Sequence, residues 1–566
     1  MSEFAGTAAA EAIREALARC NAGAAFGLPG SPNHVLFQRL RGANPRLIVP
    51  THELAAAFMA GTYGRIDGRP GILLTIPGPG FAFALPGIAE AWQDSAPLLH
   101  IVSAAPGGPH ARHRHQALDQ NALARPITKA MFGVSDPSRL AETVCQAYET
   151  ARDGEPGPVI LQLGENAETS VSIHSADDRA DDRRDDRAAA AAIWVRIHNA
   201  RRPVLMLGQG CARSAARLRA YVDRTGTPVF SSASGRGILP EDSPWSLGYD
   251  SLRGSTAQLN AFLNEADLVI ALGTRLAFNG TGGFELKLPP ERLVHVDASA
   301  SSLNAIYPAA AVAVMRAEEF LALPASAAAA RTAWTAQLVG PWRERIGSAQ
   351  DHPAEPDIAG ATPSAFFGAL RAQLPDEALV VTDSGLHQVM ARRYFEVRHA
   401  HGLLLPTDLQ SMGFGLPSAL AAKLAAPDRP VVALVGDGGM LMSGLELATA
   451  VREGIDLTVI VFNDGYLNQI RLQQLSDAGR EHGETLPLMD FHALAAAVGA
   501  AHVSCAPGDL AALARAGRGT GVTLIEVPVT DSRSIASVAA RSRLKSYVRR
   551  VLGTRTRGLV RRWFRR

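Results

Sequence analysis

The chain has 566 residues, enough for three or four domains of ~150 residues each. Hydrophobic residues make up 47 % of it, charged residues 19 %, and there are 52 glycines; this excludes a disordered or fibrous chain and fits an α/β protein rich in tight strand-to-helix turns. The net charge of +2 is uneven, because residues 541–566 hold 11 Lys and Arg and no acid, leaving 45 bases against 54 acids, a net of −9, for the rest.

Cys20, Cys145, Cys211 and Cys505 form no CxxC pair, which argues against a disulfide framework or zinc site and for a cytoplasmic location. The first twenty residues carry an early Glu3 and no long apolar run, unlike a signal peptide. No uncharged apolar stretch approaches the ~20 residues of a spanning helix.

In chain order, residues 1–170 read as a first α/β domain. Short apolar runs at 24–26 and 71–76 end in Gly27-Leu28-Pro29-Gly30 and Pro77-Gly78-Pro79-Gly80, a third run covers 97–102, and an alanine-rich helix is expected at 53–63. Buried strands alternating with helices predict a doubly wound parallel sheet. His110, His113 and His115 sit among arginines and read as a solvated loop, with a proton-shuttling histidine as the alternative. Residues 171–189 include SADDRADDRRDDR and read as a solvated linker.

Residues 190–345 form a second domain, with strands expected at 204–207, 268–272 and 293–296. Gly208-Gln209-Gly210 follows the first of these, with Asp223 beyond it, but GxG alone is poor evidence for a dinucleotide site. A Pro- and Ala-rich linker covers 346–361. The third domain, 362–530, has strands expected at 378–382, 431–435, 457–462 and 523–527. The tail, 531–566, carries Leu544, Tyr547, Val548, Val551 and Leu552, then Leu559, Val560, Trp563 and Phe564, among arginines. These spacings predict basic amphipathic helices, expected to lie on an anionic membrane surface; docking on the chain's own acidic body is the alternative, and nothing supports nucleic acid.

Chemistry concentrates in residues 431–474. A buried strand runs into Gly436-Asp437-Gly438-Gly439, a helix is expected at 443–453, and a second strand ends at Asn463-Asp464-Gly465. Ligands of open parallel sheets sit at the carboxyl ends of strands. Glycines there let backbone N–H groups approach a phosphate, and the helix N-terminus adds a positive dipole. Asp437 and Asp464 offer two hard oxygens to one Mg²⁺, which prefers carboxylates shared with substrate phosphates.

This pattern, GDG and then 24 residues before Asn463-Asp464, resembles the signature of the thiamine-diphosphate enzymes. The likeness runs through nearly the whole chain to about residue 529 and is closest to the acetolactate synthase large subunits. The resemblance implies thiamine diphosphate and Mg²⁺ as cofactors, with Asp437, Asp464 and the main-chain carbonyl of Tyr466 as metal ligands. It implies Glu53, within Thr51-His52-Glu53-Leu54-Ala55, as the acid that hydrogen-bonds the cofactor's pyrimidine. Gln120 is placed near the thiazolium. Gly385, His387 and Gln388 lie by the diphosphate with Gly436, Gly438 and Gly439. Met412, in Gln410-Ser411-Met412-Gly413, is the wedge beneath the cofactor.

Three departures from the resemblance stand out. Gln410 replaces a usual glycine beside the pyrimidine, where its carbonyl still accepts a hydrogen bond. Gln469 and Gln473 stand where acetolactate synthases carry Met and Trp, which puts the acceptor substrate in doubt. Asn468 replaces another glycine. Some relatives hold FAD in the middle domain; the reading here favours none. The expected activity is a 2-oxo acid decarboxylase or carboligase, at least a homodimer, with simple decarboxylation to an aldehyde and a catalytically silent cofactor-binding scaffold as the alternatives.

Overall fold

The computed structural model describes residues 6–106, 110–164, 167, 170–171, 186–253, 255–324, 330–347, 355–478 and 481–531. The tail beyond Asp531 and most of the charged stretch 175–187 lie outside the described residues. No helix among the described residues is long and apolar enough to cross a membrane.

Three sheets carry the chain, as expected. The first holds β1 (Ala24–Gly27), β2 (Arg46–Ile48), β3 (Gly71–Thr75), β4 (Leu98–Ser103), β5 (Ala130–Val134), β6 (Pro158–Leu163) and β7 (Ser170–Val171), in the order β2-β1-β3-β4-β6-β5-β7. The second holds β8 (Pro203–Leu207), β9 (Val229–Ser231), β10 (Leu268–Leu272), β11 (Leu293–Asp297) and β12 (Ala311–Val314), in the order β12-β11-β10-β8-β9. The third holds β13 (Asp357–Ile358), β14 (Leu379–Thr382), β15 (Leu403–Leu404), β16 (Val431–Gly436), β17 (Leu457–Asn463), β18 (Ala501–Ser504) and β19 (Val522–Thr530). Its order is β13-β19-β17-β16-β14-β15, with β18 beside β19. The middle sheet is wholly parallel; the outer two each end on one short antiparallel strand, β7 on β5 and β13 on β19. Central strands such as β3, β8 and β14 are buried along their whole length, because helices cover both faces.

Two expected boundaries differ. The helix Asp186–Asn199 begins inside the charged stretch, since Ala190, Ile193, Trp194 and Ile197 give it an apolar face to bury. The linker 346–361 ends in β13, whose Ile358 is fully buried.

In both outer sheets the strand order reverses beside the candidate residues. The chain goes outward from β1 to β2 before crossing to β3, and outward from β14 to β15 before crossing to β16. Each reversal leaves a crevice at the carboxyl ends, the place where open sheets bind ligands. β1 and β3 end at the two glycine- and proline-rich turns; β14 and β16 end at Asp383-Ser384-Gly385 and Gly436-Asp437.

The first and third domains share one core. The helix Glu53–Asp67 is buried from Ala55 to Arg65. It lies against the helix Gly415–Ala425, where Phe58 meets Phe414 edge to face at 5.5 Å and Thr62 Oγ1 donates to Ser418 Oγ at 2.9 Å. On its own domain's side it packs as tightly: a methyl on Gly64 would strike the Pro97 carbonyl. Glu446 ties the same two domains, accepting from Thr51 N at 2.9 Å and Thr51 Oγ1 at 2.5 Å. The middle domain keeps its own core. It joins the third through the buried ion pair of Arg392 with Asp250 at 2.9 Å and through Arg236, which pairs with Glu241 in its own domain and donates to Arg392 O at 2.8 Å and Phe395 O at 2.7 Å.

Candidate functional site

Gly436 caps a helix that starts at Asp437 and runs to Ser443, and a second helix spans Glu446–Arg452. The helix expected at 443–453 is the one at Glu446–Arg452, and a further helix, not expected, precedes it and begins directly off the strand. Asp437 makes that start possible: its Oδ1 accepts from Gly438 N at 2.8 Å, satisfying a first-turn donor that has no helical partner. Its Oδ2 accepts from Gly465 N at 2.6 Å and Asp464 N at 3.2 Å, which brings the ends of β16 and β17 together. Asp464 accepts from Tyr466 N at 2.9 Å and from Asn468 Nδ2 at 2.7 Å.

Burial raises the pKa of Asp437, and burial together with the charge of Asp437 pushes Asp464 up to about 7. No Lys or Arg ion-pairs with either carboxylate among the described residues. Two carboxylates both raised by desolvation, one of them further by the charge of the other, are a donor set that a hard divalent cation fits. The loop of Tyr466 is pinned by Leu467 N donating to Glu484 O at 2.7 Å and Leu486 N donating to Gly465 O at 2.8 Å, bonds that use neighbouring carbonyls rather than that of Tyr466.

His387 is buried with Nε2 unpartnered, beside Gly385 and Gly436. Burial lowers its pKa to about 4, so the ring is neutral and keeps one N–H to donate. An orphaned ring nitrogen at the mouth of two glycine turns, both of them helix N-termini, fits a phosphate group. Gln388 is buried and donates to Pro406 O at 3.4 Å, on the loop leading to Gln410. Gln410 has φ +62°, which explains the usual glycine at this position; its amide donates to Pro406 O at 2.9 Å and Thr407 O at 2.6 Å and holds the turn. Met412 is half-buried, its Cε 3.4 Å from where a methyl on Gly438 would stand.

Two carboxylates not singled out in the sequence organise these loops. Asp383 is fully buried, accepts from Ser384 N at 2.7 Å and Gly413 N at 3.0 Å, and is pushed by burial up to about 7. A methyl on Gly439 would collide with it. Glu90 accepts from Ser411 N at 3.1 Å. Burial and the neighbouring Asp94 push Glu90 up to about 8, while Asp94 itself is paired with Arg65 at 2.8 Å. An acid at a strand end was the only available signal for Asp383; Glu90 lies mid-helix and had none.

The first domain brings its own candidates together. Glu53 opens the helix Glu53–Asp67 half-buried, and its Oε1 is 3.1 Å from where a methyl on Gly80 would stand. Gln120 is buried, with Oε1 accepting from Ala105 N at 3.0 Å just past β4, and its Nε2 is unpartnered. Within one chain no hydrogen bond among the described residues joins Glu53 or Gln120 to the loops of Asp437 and Asp464. His113 and His115 are exposed, and no three His, Cys, Asp or Glu side chains among the described residues gather as a metal-binding group.

In the middle domain the glycines of Gly208-Gln209-Gly210 pack against the backbone of Gly273. They serve strand contact. A cleft of about 210 Å³ nearby is lined by Arg213, Ser232, Thr274, Arg275 and Asp297.

Comparison with known proteins covers the chain in three pieces. Residues 7–123 match the N-terminal TPP binding domain of thiamine pyrophosphate enzymes, 190–323 the central domain, and 383–527 the C-terminal TPP binding domain. A probable 2-ketoarginine decarboxylase of Pseudomonas aeruginosa is 33 % identical over 533 residues, 92 % of this chain and 93 % of that one. The acetolactate synthase isozyme 1 large subunit of Escherichia coli is 30 % identical over 458 residues, 79 % of this chain and 80 % of that one. The acetolactate synthase large subunit of Parasynechococcus marenigrum is 30 % identical over 484 residues, 82 % and 78 % of the two chains. With two outer domains of thiamine pyrophosphate-binding type flanking a matching central domain, and likeness running the length of the molecule, the chain belongs to the thiamine pyrophosphate enzymes.

Proposed function

We propose that the chain is a Mg²⁺- and thiamine-diphosphate-dependent 2-oxo acid decarboxylase. The observation that carries this is the Asp437–Asp464 pair, two carboxylates raised by desolvation and brought together at the switch point of the third sheet. In this reading Asp437, Asp464 and the Tyr466 carbonyl hold the metal, and Asn468 orients Asp464. His387 Nε2–H and the amide-rich turns at Gly385 and at 436–439 take the diphosphate, with Gln388 and Gln410 fixing the loop beside it. Met412 packs beneath the cofactor. When bound, thiamine diphosphate supplies the electron sink that decarboxylation of a 2-oxo acid needs. Glu53 holds a proton against the pyrimidine, and Gln120 Nε2–H donates to the bound substrate.

A homodimer completes this site. Leu441, Met442 and Leu445, directly after the metal loop, are 39 %, 56 % and 62 % exposed, and Phe83 of the first domain is 53 % exposed. Apolar patches of this kind mark subunit contacts, and Glu53 has no link to the metal loop within its own chain. The middle domain works without FAD in this reading, because its cleft is already bridged: Gln209 donates to Asp94 O at 2.7 Å and Arg275 bonds Gln93 O.

Carboligation is the second reading, favoured by the likeness to acetolactate synthases; exposed Gln469 and Gln473 leave the acceptor side polar. A panel of 2-oxo acids, including pyruvate, branched and guanidinium-bearing members, scored for CO₂ and carbon product with and without both cofactors, tests the proposal. Cofactor-dependent CO₂ release with an aldehyde product supports decarboxylation, and a hydroxyketo acid product selects ligation. No CO₂ from any member rejects the function.

A further inference from the structure

Glu484 is 3 % exposed, and its Oε2 has no hydrogen-bond partner. It lies in the segment that pairs antiparallel with the metal loop, through the bridge between Tyr466 and Thr485. Alternate residues of such a pair share a face. Leu467, opposite Glu484, and Leu486, two residues on, turn their side chains to Gly438; Leu467 Cδ2 is 3.0 Å and Leu486 Cδ1 3.4 Å from where a methyl on that glycine would stand. Met412 Cε reaches the same point at 3.4 Å. Glu484 shares this face, while Thr485 and Pro487 are exposed.

A buried carboxylate is costly unless a cation or a proton neutralises it. Arg471, one turn beyond Leu467, is already engaged by Glu481 at 2.7 Å, Asn468 at 3.0 Å and Asp531 at 2.8 Å. Glu484 is part of no metal-binding group among the described residues.

We infer that Glu484 receives the cationic end of the substrate, so that the preferred 2-oxo acid carries a guanidinium or ammonium group on its side chain. A carboxylate with a free oxygen suits a guanidinium fork. This rests on the reading that the chain decarboxylates 2-oxo acids at the Asp437–Asp464 centre, and it adds the substrate class.

The test compares wild type, Glu484→Gln and Glu484→Asp, each loaded with thiamine diphosphate and Mg²⁺. One readout is the ratio of kcat/KM for 5-guanidino-2-oxopentanoate over 2-oxohexanoate; the other is calorimetric binding of the unreactive 5-guanidinopentanoate. Wild type should favour the cationic acid, Glu484→Gln should lower the ratio by ~100-fold and weaken the analogue by a similar factor, and Glu484→Asp should recover part of both. If wild type turns over 2-oxohexanoate and ignores the cationic acid, the inference fails and the decarboxylase reading stands. If neither acid nor any of the panel releases CO₂, both fail. A Glu484→Gln enzyme with an unchanged ratio and unchanged analogue binding also overturns it.

Discussion

At the scale of single residues, two acids are expected to work through the proton they hold. Glu53→Gln keeps the shape and loses the acid, so it should fold and bind cofactor while kcat falls by roughly 10²–10⁴. Near-normal turnover would remove Glu53 from the mechanism. Glu90 makes a pH prediction. Its folded pKa is raised from an ordinary 4.5 to about 8, so the folded state binds the proton more tightly than the unfolded chain does, and stability is lost as pH climbs through that window. Glu90→Gln retains an acceptor for Ser411 N and cannot ionise. The fall in Tm between pH 6 and pH 9 should therefore shrink by ~2 °C in the variant, a shift of the size expected from about 1 kcal/mol in a large chain. An equal or steeper fall would show that Glu90 is ionised in the folded protein.

At the scale of elements, what was legible in the sequence followed from local chemistry. Continuous apolar runs marked ten strands across the three sheets, because parallel strands covered on both faces read as continuous apolar stretches; β2, β5, β6, β7, β9, β12, β13, β15 and β18 were not marked. The helix Asp437–Ser443 was not legible: Asp437 starts it by satisfying its own first turn, a contact that only the folded loop creates. Asp383 was missed for a similar reason, since its partner Gly413 arrives from another segment; Asn468 was read only as a replaced glycine, although the carboxylate it holds, Asp464, is four residues away. Gln410 was read as a departure, and its left-handed backbone shows why glycine is usual there. The close helix packing also makes a prediction. Gly64→Ala drives a methyl into the Pro97 carbonyl and should cost about 1–3 kcal/mol. Gly340→Ala, with no atom near its added methyl in the helix Ala336–Gly347, should be neutral or gain up to ~1 kcal/mol. Thermal melts of the two variants should move in opposite directions or differ clearly; equal shifts would refute the packing argument.

At the scale of the whole molecule, the site candidates fall into two groups, Glu53 and Gln120 on the first domain and the metal and diphosphate residues on the third, with no direct bond between the groups in one chain. The active species should therefore be at least a dimer. Leu445→Asp puts a charge on the exposed apolar patch and should yield monomers with little activity by light scattering and CO₂ assay; a fully active monomer would contradict the assembly. The most direct test of the account is a calorimetric titration of thiamine diphosphate into metal-free protein, with and without Mg²⁺, in wild type and Asp437→Ala. Wild type should bind at least ~100-fold more tightly with Mg²⁺, the loss of one metal contact being worth ~10–100-fold or more, and Asp437→Ala should lose that gain. Equal affinity with and without the metal, or a metal-dependent gain that survives in Asp437→Ala, would contradict the account.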